Sequence, residues 1–65
     1  MYMNEIEQFP VRYRKNIGRL VEMLSTDAET AFSMMVMTAT LMDLRPDDDE
    51  VVEMILMDCD MEVRA

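Results

Sequence analysis

The stretch AFSMMVMTATLMDL, residues 31–44, constrains this chain more than any other feature, because a helix drawn through it has almost no polar side. On a helical wheel of residues 28–44, only Glu29, Ser33 and Thr40 form a polar strip. One apolar face beside it comprises Ala28, Ala31, Phe32, Met35, Ala39 and Met42; a second comprises Met34, Met37, Leu41 and Leu44. A helix that is apolar on more than one side is either central in its fold or shared with another chain. The chain has only 65 residues, and a domain of that size buries about 60% of the surface its unfolded form exposes. Small scaffolds offset this with disulfides, a metal or oligomerisation. Cys59 is the sole cysteine and histidine is absent, which rules out an internal disulfide and a Cys–His zinc set. Association is the route left open.

The fold class expected is all-α: one small three-helix domain, with helices at about residues 10–24, 27–44 and 47–61, forming a helical bundle by self-association. Pro10 suits the first turn of a helix, and Tyr13, Ile17, Leu20, Val21 and Leu24 follow it in a single apolar stripe. Arg12, Lys15 and Arg19 line the other side, and Gly18 within this helix is read as a mark of close helix packing. Thr26 with Glu29 three residues later has the form of a capping box for the second helix. That helix should stop at Leu44, since Arg45 precedes Pro46 and residues before proline leave the helical region. Pro46 or Asp47 then opens the third helix, whose core stripe is Val52, Ile55, Leu56 and Cys59. Met54, Met57 and Met61 form a second stripe on it.

Charge divides the chain. Residues 1–24 carry four basic and three acidic side chains, a net of +1, whereas residues 25–65 carry eleven acids against Arg45 and Arg64, a net of −9. The overall −8 opposes direct binding to nucleic acid and favours a protein partner with a basic surface. Thr38, Thr40 and Asp43 interrupt the longest apolar run, which falls short of a membrane span. The opening MYMNEIEQFP has neither a basic start nor an apolar run of signal-peptide length, and with the single cysteine this leads us to expect a cytoplasmic protein.

Catalytic constellations are missing: no histidine, no glycine-rich phosphate loop and no cysteine beside a base. The acidic run DDDEVVE invites comparison with a calcium-binding EF-hand loop. Asp47 and Asp49 match the first two ligand positions, but Val51 falls at the third, Val52 replaces the turn glycine and Asp58 replaces the final glutamate. No metal or cofactor is therefore expected. The acids Asp47, Asp48, Asp49 and Glu50 cluster instead where the helix dipole stabilises them, and Glu53 extends them along the third helix.

These readings lead to a non-enzymatic interaction protein whose contact residues are Met34, Met37, Leu41, Met54, Met57 and Met61 together with Asp47, Asp48, Asp49, Glu50 and Glu53. Methionine suits a surface that must re-pack against its partner. In size, charge and lack of catalytic groups the chain is similar in style to small acidic inhibitors of phages and mobile elements, of the anti-restriction and anti-CRISPR type. That likeness implies a stoichiometric inhibitor or modulator of a larger host complex, with nucleic-acid mimicry as one mode. The alternative is a structural or adaptor subunit of a homo- or hetero-oligomeric helical assembly, whose acids are a solubility coat.

Overall fold

A computed structural model describes residues 5–64, with side chains described for residues 5–59. A short 3-10 helix, Glu5–Gln8, leads into α1, Val11–Leu24; α2 spans Ala28–Met42 and α3 spans Asp49–Arg64. The fold is all-α, a small three-helix domain in which each helix touches both others.

The helix ends are set by local chemistry that differs from the expected boundaries by a few residues. Pro10, with φ −56° and ψ 147°, stands just before α1. The cap of α2 is Asp27, one residue past Thr26: its Oδ1 accepts from Thr30 N at 2.8 Å, so the Thr26–Glu29 box is not formed. Aspartate is at least as good an N-cap as threonine, and here it holds the extended backbone that the position requires. The far end of α2 stops at Met42, two residues before Leu44. Asp43 turns left-handed with φ 58°, its N–H reaches Thr40 O at 3.3 Å, and Leu44 N donates to Ala39 O at 2.8 Å. This pair of bonds is a Schellman motif, which satisfies the last carbonyls before Pro46 can act. α3 begins at Asp49 rather than at Pro46 or Asp47, because residues 45–48 first make a turn closed by Asp48 N to Arg45 O at 3.0 Å. Asp48 then caps the helix through Oδ1 to Glu50 N at 2.9 Å. Beyond Met61, no glycine or proline interrupts α3 before Arg64.

The core is built from Ile17 and Leu20 of α1, Ala28, Ala31, Met35 and Ala39 of α2, and Val51, Val52 and Ile55 of α3. Three of the four buried positions on α2 are alanines, so its neighbours approach closely and its larger side chains are left to other faces. Tyr13, Val21, Leu24, Leu56 and Cys59, all expected in the core stripes, are half-buried against this cluster. The 3-10 segment folds back over the open edge. Phe9 packs on Phe32 with ring centroids 5.0 Å apart, and Tyr13 meets the same ring edge-on at 5.3 Å. Arg14 fixes this segment by donating from Nε to Phe9 O at 2.8 Å and from Nη2 to Glu7 O at 2.9 Å. Gly18 does not mark close helix packing. A Cβ built there would meet only Ile6 Cδ1 at 3.9 Å, an ordinary contact.

Candidate interaction surfaces

The residues expected to form contacts separate into two helical faces of different chemistry. On α2, Met37 is 65% and Leu41 86% exposed, while Met34 is half-buried against the core. The row that carries them also holds Thr30, Ser33 and Thr40, all exposed. Between Glu29 and Asp43 there is no charged residue at all. Thr40 Oγ1 donates to Val36 O at 2.9 Å, so its hydroxyl is occupied within the helix and its methyl adds to the apolar surface.

On α3, Met57 is 60% exposed and Met54 37%. Met61 lies near the end of this helix with its side chain outside the described residues. Here the methionines are interleaved with carboxylates, since Asp49, Glu50, Glu53 and Asp58 are all exposed. Among the described residues no carboxylate lies within ion-pairing distance of an arginine or lysine. Two of the basic residues are engaged elsewhere: Arg14 on the carbonyls above, and Arg12 stacked over Tyr13 at 4.9 Å from the ring centroid, with Nη2 donating to Tyr13 Oη at 3.1 Å.

One of the acids expected to contact a partner has a structural duty: the carboxylate of Asp48 caps α3. Asp47 is half-buried, and its backbone carbonyl, rather than its carboxylate, accepts from Asn16 Nδ2 at 3.2 Å. Asn16 is 2% exposed and ties the α2–α3 connection to α1; its Oδ1 has no hydrogen-bond partner among the described residues. The burial of this residue is not legible from spacing alone, because a polar side chain beside the apolar stripe of α1 reads as solvated. Val51 was likewise absent from the expected stripe, although it is fully buried in the first turn of α3. Met23 and Val11 are exposed apolar residues on α1 that lie off its stripe, at 63% and 74%.

Two open grooves accompany these faces. One of ≈ 510 Å³ is lined by Phe9, Glu29, Thr30, Phe32 and Ser33; another of ≈ 350 Å³ is lined by Arg12, Tyr13, Arg45, Pro46 and Asp47. Neither lining includes a cysteine, and among the described residues no three metal-ligating side chains come together. No helix among the described residues is long and apolar enough to cross a membrane. Asp27 has its carboxyl held below the ordinary value by the hydroxyl of Thr30 and then by the backbone N–H of Thr30, both donating to the charged form. Comparison with protein-family models, curated proteins and solved structures finds no match.

Proposed function

We propose that this chain is a non-catalytic protein–protein interaction module, acting as a stoichiometric inhibitor or modulator of a larger host complex in the manner of small acidic phage or mobile-element proteins. The observation that carries this reading is the outer face of α3, where Met54 and Met57 stand among Glu50, Glu53 and Asp58 and, among the described residues, no cation pairs with these acids. Exposed carboxylates steer a basic partner into place and set specificity, while the methionines supply adaptable apolar contact. The partner in this reading is a cytoplasmic protein with a basic surface, neither nucleic acid nor membrane. Such a face could occupy a groove built for phosphate.

The structure also dictates how to test it. Asp48 must be left alone because its carboxylate caps the start of α3. A variant with Asp49→Lys, Glu50→Lys and Glu53→Lys should lose capture of the host protein that the wild type retains from lysate at low salt, with its helical circular dichroism unchanged. Wild-type capture should itself weaken as salt rises. Equal retention by the variant at every salt concentration would exclude an electrostatic mechanism. The adaptor reading is favoured by a separate observation, the neutral outer face of α2, and it expects that equal retention.

A further inference from the structure

The groove of ≈ 350 Å³ beside α1 brings cations together on a chain whose net charge is −8. Arg12 belongs to α1 and Arg45 to the connection between α2 and α3, yet the fold sets both in one lining with Tyr13. We propose that this groove binds a phosphate group, free or carried on a small ester, between the two guanidiniums and the Tyr13 hydroxyl.

Three observations select this ligand. First, Arg12 is held in place before any anion arrives: its guanidinium lies 4.9 Å from the Tyr13 ring centroid and its Nη2 donates to Tyr13 Oη at 3.1 Å. That bond and the stack fix the guanidinium and leave its other N–H groups to a ligand. Tyr13 Oη is the acceptor in it, so the hydroxyl keeps its own proton to donate. Second, the Arg45 side chain is exposed and has no hydrogen-bond or ion-pair partner among the described residues, while the backbone that carries it is tied down. Arg45 O accepts from Asp48 N at 3.0 Å, and buried Asn16 donates from Nδ2 to Asp47 O at 3.2 Å, joining this connection to α1. Third, the donors suit phosphate better than carboxylate. One guanidinium already saturates a carboxylate in a bidentate pair, whereas two guanidiniums and a hydroxyl can serve the further oxygens and the larger charge of a phosphate. Asp47 is the one acid in the lining; its carboxylate opposes an anion and limits the affinity.

The site uses none of the α3 acids that carry the proposed function, so the two readings stand or fall separately. The test is a titration of the full chain with inorganic phosphate at neutral pH and constant ionic strength, followed by amide NMR shifts. Saturable shifts should concentrate at Arg12, Tyr13 and residues 45–47. Arg45→Gln removes a side chain without an internal partner, leaves the helices intact by circular dichroism, and should weaken binding about tenfold or more. Arg12→Gln should do the same. Lys15→Gln removes the same charge from an exposed position of α1 outside the groove lining and should bind like the wild type. Asp47→Asn should bind more tightly than the wild type. Repeating the titration with adenosine monophosphate separates the sources: equal affinity assigns the free ion, tighter binding assigns an ester, and both support the site. Acetate should bind at least tenfold more weakly than phosphate. No saturable shift with either phosphate compound, a loss in Lys15→Gln as large as in Arg45→Gln, or acetate binding as tight as phosphate would each overturn the proposal.

Discussion

Asp43 combines two unfavourable features at one position. It holds a left-handed backbone, φ 58° and ψ 42°, that glycine adopts without steric penalty. It also places a carboxylate at the negative end of the α2 dipole. Asp43→Gly should therefore stabilise the fold by about 0.5–1 kcal/mol, measurable as a higher midpoint in urea with an unchanged slope. Asp27 is the opposite case, a carboxylate matched to its position at the N-terminus of α2. Because the folded state lowers its pKa below 3.8, its ionised cap contributes stability above that value and loses it as pH falls through the folded value. Asp27→Asn keeps an acceptor but cannot titrate. The stability gap between wild type and Asp27→Asn should narrow between about pH 5 and pH 3, as followed by thermal melts across that range. Asp27 was one residue away from the cap that the spacing of Thr26 and Glu29 suggested, and pattern alone does not separate two adjacent capping residues.

The elements themselves were legible from the helical spacing of their apolar residues. Ile17 and Leu20 of α1 and Val52 and Ile55 of α3 are buried as the wheel required, and the division of α2 into an alanine-rich inner face and a methionine–leucine outer face is the one its sequence displays. Met37, Leu41, Met54 and Met57 stand exposed for that reason. Contacts that cross between elements were not legible. Met34 leans onto the core from the edge of α2, Asp47 is held by Asn16 across 31 residues of chain, and the 3-10 segment is pinned by Arg14. Each depends on where another element lies, which periodicity does not encode. Gly18 shows the same limit in reverse: its sequence position suggested a tight crossing, yet only Ile6 Cδ1 lies nearby, at 3.9 Å from an added Cβ. Gly18→Ala should consequently gain helix propensity without a clash. We expect about 0.5–1 kcal/mol of added stability, or a rise of several degrees in Tm for a domain this small, read by calorimetry.

At the scale of the whole molecule, small size and high charge act together. Among the described residues the core holds nine buried apolar side chains, three of them alanine. With a radius of gyration of 11.8 Å the chain is somewhat larger than the ~10.7 Å that compact domains of this length average. Apolar side chains lie outside as well as in the core, and the described methionines occupy different environments. Met35 is fully buried, Met37 lies at the centre of the neutral α2 face, and Met54 and Met57 lie among the acids of α3. Met23, 63% exposed on α1, belongs to neither face and serves as an internal reference. Oxidation converts an accessible methionine to a polar sulfoxide at a rate governed by exposure. The most direct test of this division is the rate of peroxide oxidation at each methionine, resolved by mass spectrometry with circular dichroism recorded alongside. Met23, Met37 and Met57 should react quickly, and Met35 should lag until the helices melt. Oxidation of Met35 as fast as Met57 in a helical protein, or Met37 lagging with Met35, would contradict the assignment of the two faces.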